Sequence, residues 1–213
     1  MSKFNKIIPL GHNCNVTFLL QHLKLKKETS LFEWFQSETL TAINSTLAKI
    51  DWLNIDSYVP YKNGVYVNLG LDVFSNHYTL EEFKPIFVRR AKRFYKTIQN
   101  EDTILFIRLN VSTSTTTLEE IEEFRSTIES MILDNTRIEK MRFMLISTIH
   151  KPEDFVPIQH DWIIHRYILR GDVNDGYMKD DIKIQHQLRE FLTEAGFNIE
   201  DTLHKEWNDH SEF

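Results

Sequence analysis

Short apolar runs alternate along the chain with longer segments in which apolar residues recur every three or four positions. Two runs, TILFIRL at Thr103–Leu109 and RFMLIST at Arg142–Thr148, are almost continuously apolar, as in strands buried on both faces. Strands that alternate with helices are typical of a parallel sheet covered by helices. The predicted strands span Lys6–Leu10, Tyr66–Leu69, Thr103–Leu109, Met141–Ser147 and Trp162–Leu169.

Helical periodicity marks several of the intervening segments. One apolar stripe consists of Leu118, Ile121, Phe124, Ile128 and Met131. At its start, Thr117 and Glu120 have the spacing of a capping box. A second stripe runs from Phe83 to Ile98, with Pro85 expected in the first turn. Further helices are predicted from Leu40 to Ile50 and from Ile184 to Ala195, the latter ended by Gly196.

These elements predict an α/β fold with a mostly parallel sheet of about five strands and helices on both faces. A chain of 213 residues, 41% apolar and 26% charged, is expected to form one three-layer domain over residues 1–213. The net charge of −6 gives no general attraction for nucleic acids or anionic membranes. The first residues lack a secretion signal, so we expect a cytoplasmic protein with no nucleic-acid or membrane partner.

Cys14, in PLGHNC, is the only cysteine of the chain and therefore cannot form an internal disulfide. The spacing of His150, His160 and His165 fits no metal-binding pair, so we expect neither a metal nor a cofactor. Cys14 follows the first strand and a glycine, and it precedes the apolar segment that begins at Val16. This order of elements predicts that Cys14 lies near the first turn of a helix.

A cysteine at that position has two interpretations. The N–H groups and the dipole at a helix N-terminus favour a thiolate, and a turn at Gly11 would direct the sulfur toward the carboxyl edge of the sheet. The backbone N–H groups of the Gly11, His12 and Asn13 turn would then form an oxyanion hole. Alternatively, Cys14 is a small apolar residue that only fills space in the core.

Polar residues near predicted strand ends supply candidate substrate contacts. Arg108 and Asn110 lie at the end of TILFI, and an arginine beside a buried run needs a carboxylate or an anionic ligand. Arg90 and Arg93 lie on the basic helix that precedes this strand, and they are candidates for binding phosphates. The competing interpretations are a structural ion pair for Arg108 and a solvated helix face for the other arginines.

Four segments together carry a resemblance to a known family. They are PLGHNCNVTFLLQHLKLKKETSLFEWF at Pro9–Phe35, FSNHY around His77, RRAKRF at Arg89–Phe94 and LFIR ending at Arg108. Over roughly its first half, the chain resembles an uncharacterised family predicted to consist of papain-like cysteine peptidases. The resemblance implies that Cys14 is the nucleophile and His77 is the base. Asp72 and Asn76 are the nearby candidates to orient His77.

Three hypotheses of function remain open at this point. The first is a thiol hydrolase that acts on an amide, ester or thioester of a small molecule, peptide or saccharide. The second is an acyltransferase that uses a pantetheine-type donor and a sugar hydroxyl as acceptor, because the opening also resembles that of capsule-polysaccharide acyltransferases with a Gly-Asn-Cys motif. The third is a binding protein without catalysis, in which Cys14 packs. The sequence does not predict the oligomeric state.

Overall fold

The computed structural model describes most of the chain. The described residues are 4–11, 14–26, 28–33, 36–37, 39–57, 62–63, 66–68, 73–75, 80–100, 103–110, 115–169, 182–197 and 199. The strands are β1 (Lys6–Pro9), β2 (Gln36–Ser37), β3 (Lys62–Asn63), β4 (Tyr66–Asn68), β5 (Val73–Ser75), β6 (Ile104–Asn110), β7 (Met141–Ile149) and β8 (Ile163–Leu169). The α-helices are α1 (Asn15–His22), α2 (Leu40–Lys49), α3 (Leu80–Gln99), α4 (Leu118–Met131) and α5 (Ile182–Glu194).

Four strands form an all-parallel sheet in the spatial order β1, β6, β7, β8. The register pairs Lys6 with Ile104 and Ile104 with Met141. Pro9 is the last residue of β1, an edge strand, as expected for a residue that cannot donate to a sheet ladder. Because all four strands run in one direction, their carboxyl ends meet at one edge of the sheet.

Helices cover both faces of this sheet, as predicted. The side chains of β6 alternate, so that Ile104 and Phe106 pack with α2, α3 and α4, whereas Leu105 and Ile107 pack with α1 and α5. The first face has an aromatic centre in which the Phe106 and Phe124 rings lie 5.1 Å apart, edge to face. Residues buried on two sides explain why the runs in β6 and β7 are almost continuously apolar.

The prediction of a fifth parallel strand at Tyr66–Leu69 was wrong. Tyr66–Asn68 is β4, and it belongs to a separate antiparallel sheet in the order β2, β5, β4, β3. These strands are two or three residues long, so their apolar pattern is too short to distinguish a parallel from an antiparallel neighbour. The parallel sheet of the described chain therefore has four strands.

The predicted helices are confirmed, with one shift of boundary. Thr117 and Glu120 form the capping box of α4, and Gly196 follows α5 with a φ of 90°, in the left-handed region that favours glycine. Helix α3 begins at Leu80, which places Pro85 in the second turn and not in the first. Pro85 has no N–H to donate to the carbonyl of Glu81. Glu81 is exposed, so its carbonyl can bind water instead.

Candidate functional site

Cys14 lies at the start of α1, immediately beyond the carboxyl end of β1. Gly11 has a φ of 63°, so the chain turns there through the left-handed region before it reaches the helix. Cys14 is the N-cap residue, its backbone is already helical, and its carbonyl accepts the first helical hydrogen bond from Phe18 at 3.0 Å. The predicted order of strand, glycine turn, cysteine and helix is therefore confirmed.

The first turn of α1 is electrostatically suited to a thiolate. It contains no acidic residue, and the half-buried Cys14 side chain does not accept a capping hydrogen bond from it. The first N–H groups of a helix have no acceptor within the helix, and they carry the positive end of its dipole. A negative charge on the Cys14 sulfur would be stabilised at this position.

Arg108 ties three segments together at the same edge of the sheet. Its side chain is completely buried. The Nη1 group donates to the Leu10 carbonyl at 2.8 Å and to Ser37 Oγ at 3.1 Å, while Nη2 donates to the Ser37 carbonyl at 3.0 Å. The Nε group donates to Thr116 Oγ1 at 3.2 Å. One guanidinium thus links the end of β1, strand β2 and the segment that precedes α4.

Burial lowers the pKa of Arg108 to about 10, and the charge of Glu120 opposes that shift. Arg108 is consequently a cation at neutral pH. The acceptors in these four hydrogen bonds are uncharged carbonyl and hydroxyl oxygens. The four hydrogen bonds direct its donors to the protein itself. Binding of substrate by Arg108 stays a prediction, and the described contacts show a role in fixing the backbone next to Gly11.

Asn110, the last residue of β6, extends this network and is also buried. Thr116 donates through its hydroxyl to Asn110 Oδ1 at 2.8 Å, and Thr148 donates to the Asn110 carbonyl at 3.2 Å. Thr116 therefore bridges Arg108 and Asn110. The sequence indicated both residues by their position at a strand end, but it contained no signal for the threonine between them.

Arg90 and Arg93 contact the segment that follows α1. Arg90 is buried, and its Nη1 donates to the Glu33 carbonyl at 3.3 Å, which excludes the interpretation of this arginine as part of a solvated face. Arg93 Nη2 donates to the Thr29 carbonyl at 3.0 Å. The predicted phosphate contact of Arg90 stays untested, whereas its observed contact holds the backbone of residues 28–33.

The carboxylate of Glu33 completes this packing. It lies 2.9 Å from Lys26 Nζ, with both side chains buried, and it accepts a hydrogen bond from the Ser30 N–H at 2.6 Å. Burial raises the pKa of Glu33, and Lys26 acts in the opposite direction. Phe32 is fully buried, while Trp34 and Phe35 lie outside the described residues.

A serine and a histidine form a pair that the sequence did not indicate. Ser147 Oγ on β7 lies 2.9 Å from His165 Nε2 on β8, a distance expected of a nucleophile and its base. However, the Ile158 N–H donates to His165 Nδ1 at 3.0 Å, so the proton of the neutral ring lies on Nε2. His165 therefore donates to Ser147 and cannot accept its proton.

The environment of His165 supports this assignment. Burial, together with the neighbouring charge of Arg166, lowers the pKa of His165 to about 4, so that the ring is neutral at physiological pH. The Phe155 ring packs edge to face against it, with centroids 4.7 Å apart. The pair thus anchors the segment that contains Phe155 and Ile158 to the sheet.

The remaining predicted site residues, His12, Asn13, Asp72, Asn76 and His77, lie outside the described residues. The strand between Asp72 and His77 is described, however. In β5, Val73 pairs with Ser37 of β2, the residue that Arg108 binds. Strand β5 is therefore connected to the carboxyl end of β1 through β2 and Arg108.

Over the described ranges, no group of three or more His, Cys, Asp or Glu side chains could hold a metal ion. Within the same ranges, no helix combines the length and the apolar character needed to cross a membrane.

Comparison with known proteins identifies one distant relative. Uncharacterized protein R408 of Acanthamoeba polyphaga mimivirus is 26% identical over an alignment of 187 residues, and the match covers 72% of this chain and 81% of the viral protein. No family model matches the chain. No solved structure matches it significantly.

Proposed function

We propose that this protein is a thiol-dependent hydrolase in which Cys14 attacks an amide, ester or thioester. The observation that carries the proposal is the position of Cys14, at the N-cap of α1 and just past the left-handed turn at Gly11. This is the carboxyl edge of a parallel sheet, where ligands of open α/β folds bind. The resemblance to the family of predicted papain-like cysteine peptidases supports the same residue.

In the proposed reaction, His77 accepts the proton of the Cys14 thiol, and the sulfur forms a bond to the acyl carbon. The N–H groups from Gly11 to Asn15 stabilise the oxyanion. The bond to the leaving group then breaks, and the leaving group takes the proton from His77. Water attacks the thioester with His77 as base, which releases the acid and restores the thiol.

The pairing of β5 supports His77 as the partner of Cys14. His77 is two residues beyond Ser75, the last residue of β5, and Asp72 immediately precedes that strand. Since β2 binds both β5 and Arg108, the strand between Asp72 and His77 is tied to the strand that leads to Cys14. Asp72 is accordingly proposed to orient His77.

The described contacts favour a positioning role for the four other polar candidates. Arg108 and Asn110 hold the end of β1 and the segment before α4. Arg90 and Arg93 hold the segment after α1. We propose that Arg108 and Asn110 fix the backbone next to the Cys14 turn, and that Arg90 and Arg93 fix the segment after α1.

The test uses the fact that the chain contains a single cysteine. Alkylation of the folded protein is measured by intact mass across a range of pH, and it is compared with alkylation in denaturant. We expect an apparent pKa below about 8.5, the usual value for a thiol, and we expect the difference to be lost in His77→Ala. Acylation of Cys14 by model esters and thioesters, absent in Cys14→Ala, would show the covalent step.

The outcomes separate the three hypotheses. Reaction of Cys14 only after unfolding would overturn the proposal and favour a packing cysteine. An acyl-enzyme that transfers its acyl group to a sugar hydroxyl faster than to water would show an acyltransferase. Release of the free acid would show a hydrolase.

A further inference from the structure

A basic groove lies along α3 and includes Arg93, whose Nη2 group also donates to the Thr29 carbonyl. It has a volume of about 640 Å³ and is lined by Asp56, Lys84, Pro85, Val88, Arg89, Lys92, Arg93 and Lys96. Apart from Asp56, these residues occupy two adjacent rows of the helix, each with a spacing of four residues. From position 84 to position 96, the rows extend over about 18 Å.

The groove concentrates positive charge in an acidic protein. Among the described residues, its lining contains five cationic residues and one carboxylate, a balance of +4, while the whole chain has a net charge of −6. The carboxylate, Asp56, lies 2.6 Å from Lys92 Nζ and is largely exposed. Lys84 and Lys96 form no ion pair within the described ranges, so their charge remains available to an incoming anion.

This arrangement has a cost for the helix itself. Arg89 and Arg93 are four residues apart, as are Lys92 and Lys96, and like charges at this spacing destabilise a helix by about 0.2–0.5 kcal/mol per pair. The contacts of Lys92 with Asp56 and of Arg93 with the Thr29 carbonyl offset part of this repulsion. An anion that bridges the two rows would relieve the repulsion.

We propose that the groove binds the phosphate groups of a small molecule with two or more phosphates, such as a nucleoside diphosphate. Arginine and lysine side chains are the usual phosphate ligands, and the volume is typical of a small-molecule site. Pro85, Val88 and the aliphatic stems of the lysines provide an apolar floor for the rest of the ligand. The proposal is independent of the role of Cys14.

Binding of ADP to the full chain is measured by calorimetry at low ionic strength, with pyrophosphate as competitor and adenosine as a ligand without phosphate. We expect ADP to bind, pyrophosphate to displace it and adenosine not to bind. Lys84→Gln combined with Lys96→Gln should weaken binding by about tenfold. Asp56→Asn should tighten it, because the groove loses its negative charge.

The matched control is Lys24→Gln combined with Lys151→Gln, two exposed lysines outside the groove. It makes the same change in net charge and should leave the affinity for ADP unchanged. Equal weakening by both double variants would overturn the proposal, since only the net charge would matter. A dissociation constant for ADP above about 1 mM in the unaltered protein, or failure of pyrophosphate to compete, would also overturn it.

Discussion

Replacement of Arg108 by lysine tests how the edge of the sheet that contains Cys14 is held together. Lysine keeps the charge but has one nitrogen where arginine uses three, Nε, Nη1 and Nη2, to reach the Leu10 carbonyl, Ser37 and Thr116. At least two charged hydrogen bonds should be lost, at about 1.5–3 kcal/mol each. We therefore expect Arg108→Lys to lower the free energy of unfolding by about 3–5 kcal/mol.

The assay is urea denaturation followed by tryptophan fluorescence, because Trp162 is buried in the core beside Phe106. Ser37→Ala provides the matched partner, since it removes the hydroxyl acceptor and keeps the carbonyl. By itself it should cost about 1 kcal/mol. In the Arg108→Lys background it should cost less, with a coupling energy of at least about 0.5 kcal/mol.

Two results would refute this reasoning. One is a loss below about 0.5 kcal/mol for Arg108→Lys, which is the range of an ordinary surface substitution. The other is strict additivity of the two substitutions, which would mean that Arg108 and Ser37 do not depend on each other. If Arg108→Lys does not fold, Ser37→Ala and Thr116→Val measure two of the four contacts separately.

Two further predictions concern His165 and Gly11. Because the folded-state pKa of His165, about 4, lies below its ordinary value of 6.5, its contribution to stability is complete above pH 6.5 and is lost as the pH falls toward 4. The loss should be about 1–2 kcal/mol for this half-buried ring. The measurement is the free energy of unfolding in urea as a function of pH, compared between the unaltered protein and His165→Gln. Parallel pH profiles would contradict the prediction. Gly11→Ala and Gly196→Ala should each cost about 1–2 kcal/mol, because both glycines have positive φ. Only Gly11→Ala should change the rate of Cys14 alkylation, and an equal change in both variants would show a general loosening.

The elements that the sequence predicted correctly are those whose signals are local. The capping box at Thr117 and Glu120 needs only three residues of separation, and the stripe of α4 repeats over 14 residues. The continuous apolar runs of β6 and β7 reflect burial on two faces and are equally visible. Gly11 and Cys14 were placed correctly because a strand, a glycine and an apolar helix follow one another directly.

The contacts of the candidate site depend on distant residues and could not be predicted. Arg108 binds Ser37 and Leu10, which are 71 and 98 residues away. Nothing in the local pattern indicated that its partners would be carbonyl and hydroxyl oxygens. Likewise, Arg90 differs from Arg89 only in the face of α3 that it occupies, yet Arg90 is buried and Arg89 lines the groove. Which of the two arginines is buried depends on packing and not on residue type.

The pairing of β1 with β6 has a consequence for the order in which the chain folds. Lys6 and Ile104 are 98 residues apart, whereas Ile104 and Met141 are separated by 37. Closing the longer loop costs about 4 kcal/mol in chain entropy, compared with about 3 kcal/mol for the shorter one. During synthesis β1 leaves the ribosome first, but it has no partner until β6 follows. We expect β6, β7 and β8 to assemble early and the β1 segment with Cys14 to dock late. The thiol of Cys14 should therefore stay accessible to oxidants in the newly made chain until that segment docks.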